Sequence, residues 1–218
     1  MCGLPDGVKN DEVDGLEEKA YLCINESLKY ACESWHKHLI DEHMAHAPEV
    51  TSALHWFLEK KFLCWLEVPS VLGSAREAVD ALGVTAMLLE VCQVTPLTYF
   101  LNLPRLIQKS STLNLVNDCF RFTTGFFEVI CTSAPHIYHS ALPLSPQTSI
   151  VRELYKSHAR PFTKIIHGPP ASYPSIIAEG ILASVRTVVW SPRSKFIAVT
   201  RHLGRGTAIE ILDAATLE

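Results

Sequence analysis

The sequence predicts a mainly α-helical bundle followed by a C-terminal antiparallel β segment. Three observations carry that expectation. Apolar residues recur at helical spacing in at least four segments between Leu16 and His158. The closing stretch "SVRTVVWSPRSKFIAVTRHLGRGTAIEILDAATLE" alternates in short β-branched runs separated by turn residues. With 218 residues, 48% hydrophobic and 19% charged, the chain has enough apolar matter to bury a core.

Residues 1–14, "MCGLPDGVKNDEVD", hold Gly, Pro, Asp and Asn and read as an irregular lead-in. Residues 15–157 read as a helical domain. Its first helix is expected to run from Leu16 to Leu39 along Ala20, Ile24, Leu28, Ala31 and Trp35, with Asp14 as its cap and Glu17 and Glu18 at the positive dipole end. Pro48 suits the first turn of a second helix through Leu54, Leu58 and Trp65, which Pro69 and Gly73 should break. A third begins near Ser74 and uses Ala75, Ala78, Leu82, Ala86 and Leu89. "TPLTYFLNLPRLIQKSS" reads as a kinked helix or two short ones. Periodicity resumes from Leu113 to Ile130, and "SPQTSIVRELYKSH" is a short helix capped by Ser145 or Ser149. Residues 158–180, with "GPPASYPS", form a Pro-rich linker. Residues 181–218 supply three strands, "VRTVVW", "FIAVT" and "TAIEIL", joined by "SPRSK" and the hairpin loop "RHLGRG".

The net charge is −4, with Lys and Arg dispersed, so the sequence carries no electrostatic footprint for nucleic acid or an anionic membrane. Seven cysteines sit mostly among Leu, Phe and Trp and are expected to be core residues in a reducing compartment. Neither a signal peptide nor a run long enough to span a bilayer is recognisable, and a cytoplasmic location is the expectation.

Candidate sites are few. "HKHLIDEHMAH" puts His38, Glu42 and His46 at i, i+4 and i+8, with His43 three residues before His46, a ligand-like spacing for a metal. Neither the order His-Glu-x-x-His nor its inverted form is present, and a solvated helix face is the stronger reading. Trp35, Trp56, Phe57, Phe62 and Trp65 at helical spacing are expected to be core. Cys64 and Cys131 lack any surrounding signature of a catalytic thiol. No catalytic, cofactor-binding or metal-binding residue is therefore assigned, and no cofactor is expected.

A Ser-Pro turn and a closing hydrophobe-Asp pair are features of β-propeller blades. The pattern VxxVxWSPxSxFIAV…IEILDAATL resembles the degenerate first WD-repeat blade of fungal NACHT and WD-repeat proteins, signal-transduction ATPases of the NOD-like receptor type. "YACESWHKHL", "FLEKKFLCWLEVPSVLG", "LVNDCFRFTTGFFEVICTSAPHIYHSALPLSP" and "SIVRELYK" resemble that family's helical segment between the nucleotide-binding module and the propeller. The resemblance implies a helical connector plus one incomplete blade, working through protein contacts. Leu212 and Asp213 stand where the Trp-Asp pair would be, and no Gly-Lys-Ser or Gly-Lys-Thr phosphate loop occurs. The expectation is a non-catalytic interaction fragment that binds no nucleotide and meets receptor-like WD-repeat proteins or its own copies through the blade. A free-standing adaptor for full-length receptors is the alternative, with a metal protein using His38, Glu42 and His46 behind it. In a lone blade Val185, Val189, Trp190, Phe196, Ile197, Val199, Ile209 and Ile211 would have too few partners.

Overall fold

In the computed structural model, residues 4–39, 47–94, 103–161, 168–173, 185–191, 195–203 and 206–214 are described. The chain divides into two compact units, Met1–Tyr173 and Pro174–Glu218. The first is helical and the second is an open three-stranded antiparallel sheet, so the predicted fold class holds.

The helical unit contains α1 (Leu16–Cys23), α2 (Glu26–Ser34), α3 (Pro48–Val71), α4 (Ala75–Val94), α5 (Leu103–Gly125), α6 (Phe127–Thr132), α7 (Leu142–Leu144) and α8 (Ile150–Tyr155). The expected first helix is broken into two, followed by a 3-10 turn at Trp35–Leu39. Ile24 is extended, and the Asn25 side chain accepts the Leu28 N–H at 2.8 Å, so a local cap starts a new helix where the apolar stripe alone reads as continuous. Asp14 is not the cap of α1: that position belongs to Gly15, in the left-handed region at φ +67°.

Pro48 opens α3 as expected, but Pro69 does not end it. Pro69 sits in the last turn and costs the helix one bond, to the Trp65 carbonyl, but the helix continues to Val71, with Leu72 as cap and Gly73 just beyond it at φ +69°. Pro104 likewise lies in the first turn of α5, and residues 95–102 before it fall outside the described residues.

The core forms where α3, α4 and α5 pack on one another. Leu58, Phe62 and Leu66 follow i, i+4 spacing on α3 and are fully buried, as are Leu82 of α4 and Val116 and Phe122 of α5. The Phe62 ring sits 5.9 Å from Phe122, 6.1 Å from Trp65 and 6.5 Å from Tyr155. Tyr155 of α8 closes this core with its hydroxyl, which accepts the Phe62 N–H at 2.9 Å and donates to the Leu58 carbonyl at 2.8 Å. It thus bonds both members of one i, i−4 pair of α3.

Trp35, Phe57, Phe62 and Trp65 form a contiguous aromatic group, but Trp56 is an exception to the core expectation. It is exposed because one residue of helix turns it about 100° away from Phe57. The cysteines also depart from expectation. Cys119 is buried, Cys32 half-buried, and Cys23, Cys64 and Cys131 are exposed on outward helix faces.

The ends of the unit are tied to its body. Asn10 donates its amide to the Ser70 carbonyl at 2.9 Å and accepts the Ala134 N–H at 3.2 Å, while Ser133 donates to the Val8 carbonyl. At the other end, Gln147 and Thr148 donate their N–H groups to the carbonyls of Pro170 and Ala171, at 3.0 and 3.1 Å. Residues 168–173, read from sequence as part of a linker, are held along α8's entry.

The second unit contains β1 (Val185–Trp190), β2 (Phe196–Leu203) and β3 (Gly206–Asp213), in the order β1-β2-β3. The hairpin loop is shorter than "RHLGRG": Leu203 pairs with Gly206, so Arg201, His202 and Leu203 belong to β2. Cross-strand partners share a face. Trp190, Ile197 and Leu212 line one face with Val188 and Val199. Val189, Ala198 and Ile211 line the other with Ile209 and Phe196.

Candidate functional site

Among the described residues of the second unit, the sheet exposes several large apolar side chains. Ile197 and Val199, on the central strand, are expected from the sequence to lack partners and are instead buried. Val189, Trp190 and Phe196 are exposed, Ile209 is 70% exposed and Ile211 is 69% exposed. The Val185 side chain lies outside the described residues. Alternation accounts for Val189, Phe196, Ile209 and Ile211, which lie on the face opposite Ile197 and Val199; Val188 and Trp190 share the face of that buried pair but sit on the edge strand β1 and are exposed as well. A soluble sheet with one wet face carries polar residues there; this one carries a band of Val, Phe and Ile.

The metal-spacing residues are only partly placed. His38 is exposed at the end of the Trp35–Leu39 turn, with its Nε2 3.2 Å from the Tyr30 hydroxyl, while Glu42, His43 and His46 lie outside the described residues. Among the described residues no group of three His, Cys, Asp or Glu side chains converges as a metal site. Cys64 and Cys131 are exposed on α3 and α6. Burial pushes the Cys119 thiol well up, with the Asp118 charge adding to the effect.

Two polar arrangements escape sequence reading. His55 and Glu59, one turn apart on α3, face Ser110, Ser111 and Asn114 of α5 across an open groove of about 610 Å³. The His55 Nδ1 lies 3.2 Å from the Thr112 hydroxyl, and a hydrogen bond from Lys60 holds the exposed Glu59 carboxyl below its ordinary range. The i, i+4 spacing of His55 and Glu59 is legible in the sequence; the serines opposite it, more than 50 residues away, are not. The second arrangement centres on Asp118 of α5, which accepts the Ser149 hydroxyl at 2.9 Å and the Val151 N–H at 2.8 Å. Ser149 in turn caps α8 through the Arg152 N–H and lies 3.2 Å from the Tyr173 hydroxyl. Burial pushes the Asp118 carboxyl up, against the lowering effect of those hydrogen bonds. Its role is to anchor α8 and residues 168–173 to α5.

No helix among the described residues is long and apolar enough to cross a membrane. Comparison with known proteins gives one informative relation. The chain is 25% identical over 180 residues, 79% of its length, to the vegetative incompatibility protein HET-E-1 of Podospora anserina, a fungal NACHT and WD-repeat protein. The chain spans about 12% of the length of that curated relative. No protein-family model and no solved structure matches the chain.

Proposed function

We propose that the chain acts as a non-catalytic protein-interaction fragment related to NACHT and WD-repeat receptor-like proteins. In this reading residues 15–157 are the helical connector, 158–180 the link and 181–218 a single degenerate blade. The observation that carries the proposal is the exposed Val189, Phe196, Ile209 and Ile211 face of the sheet, in a chain distantly related to HET-E-1. Side chains of this size are worth about 1.5–3 kcal/mol each when fully buried, so covering the face stabilises a complex strongly. Blades in a propeller cover one another's faces, which makes another WD-repeat protein or a second copy of this chain the expected cover.

Sedimentation velocity tests this directly. The full chain should self-associate at micromolar concentration, and Ile209→Ser with Ile211→Ser should shift it towards monomer without loss of helical circular dichroism. A monomeric wild-type chain that also fails to bind a WD-repeat propeller would sink the proposal. The chain has no Gly-Lys-Ser or Gly-Lys-Thr loop to cradle phosphates, so ATP and GTP should not bind saturably in a filter assay.

A further inference from the structure

We propose that the outward face of α1 is a second docking surface, one that receives a basic amphipathic segment of a partner protein. It rests on observations independent of the sheet. Leu16, Ala20 and Ile24 fix α1 against Val68, Val71 and Leu72 at the end of α3 and against Ala134. That contact uses one face of the helix, and the opposite face would ordinarily be polar. Here it holds Tyr21, 76% exposed, and Leu22, 82% exposed, each four residues after a glutamate, Glu17 and Glu18 respectively. A shallow open depression of about 540 Å³ is lined, among the described residues, by these four side chains alone. Neither carboxylate is engaged in an ion pair among the described residues.

Charge decides which occupant fits. Residues 1–34 hold eight Asp and Glu against three Lys, a net of −5 in a chain whose total is −4. A second copy laid face to face on α1 would bring two segments of net charge −5 together, so self-pairing here is disfavoured. An anionic membrane surface is repelled by the same carboxylates. A helical or extended segment with Lys or Arg beside Leu or Phe satisfies both halves of the surface: its cations meet Glu17 and Glu18, and its apolar side chains cover Tyr21 and Leu22. The two turns of α1 present about 12 Å of length, enough for two turns of such a helix.

Fluorescence anisotropy with a labelled amphipathic peptide of about fourteen Leu and Lys residues, with Leu at i, i+3, i+4 and i+7 so that one helical face is apolar, provides the test, using the full chain. The peptide should bind, and a Leu/Glu peptide of the same pattern should not. Tyr21→Ser with Leu22→Ser, and separately Glu17→Gln with Glu18→Gln, should each weaken binding about tenfold or more, the second variant also losing the salt dependence. These residues lie outside the core, so circular dichroism should show both variants folded. No binding by the wild-type chain, or equal binding by wild type and both variants, overturns the proposal. So does a wild-type dimer that the Tyr21→Ser, Leu22→Ser variant dissociates, which would make the occupant a second copy.

Discussion

Tyr155 shows how one hydroxyl can hold two elements together. Because it bonds the Phe62 N–H and the Leu58 carbonyl at once, it must be buried, and burial pushes its phenol far above the ordinary range. Tyr155→Phe keeps the ring in contact with Phe62 while deleting both bonds. It should cost about 1–3 kcal/mol in urea denaturation, the penalty for buried polar groups that lose a partner. A change near zero would mean that the α3 ladder closes on itself without help.

Asp118 yields a prediction in pH. Its native carboxyl is pushed up by burial, so the native state binds that proton more tightly than the unfolded chain does, whose value is about 3.9. The ionised group therefore costs stability at neutral pH, and this cost fades as pH falls through the raised native value. Relative to Asp118→Asn, the wild-type chain should gain stability between about pH 7 and pH 4. Equal pH profiles for the two proteins would show that the hydrogen bonds from Ser149 and Val151 fully offset the burial.

At the scale of elements, the division between α1 and α2 depends on a cap. Asn25 is exposed, and its bond to the Leu28 N–H touches nothing in the core, so Asn25→Ala isolates the capping contribution. The expected loss is about 1 kcal/mol by thermal or chemical denaturation. A neutral result would imply that packing against α3 alone determines where α2 begins. The sheet depends on no such device. Its three strands follow the alternation in the sequence, and only the length of the β2–β3 loop differs, because Arg201, His202 and Leu203 extend the ladder towards Gly206.

For the whole molecule, the division after Tyr173 matters more than the composition change near Ser157. Pro170 and Ala171 accept hydrogen bonds from the start of α8, and Tyr173 approaches Ser149. A chain truncated after Tyr173 should unfold cooperatively and be more stable, by about 1–3 kcal/mol, than one truncated after Ser157. Equal denaturation midpoints would show that residues 168–173 merely lie along the helical unit.

Much of this architecture is legible in the sequence because it follows from local periodicity. The stripe of Leu54, Leu58 and Trp65 and the short β-branched runs that become β1, β2 and β3 follow from 3.6- and 2-residue repeats, which need no distant partner. Pro48, Ser149 and Gly73 act on backbone angles or adjacent N–H groups and are equally local. The tertiary structure alone decided whatever joins residues far apart: Tyr155 reaching α3, Asp118 receiving Ser149, and Asn10 bridging Ser70 and Ala134. It also decided exposure. The spacing of Trp56 predicts a core residue, yet it is exposed, and Tyr21 and Leu22 have core chemistry on a helix face that no described element covers, whereas the exposure of Ile209 is already expected from the sequence; whether another surface reaches such a residue depends on how many elements pack around its own.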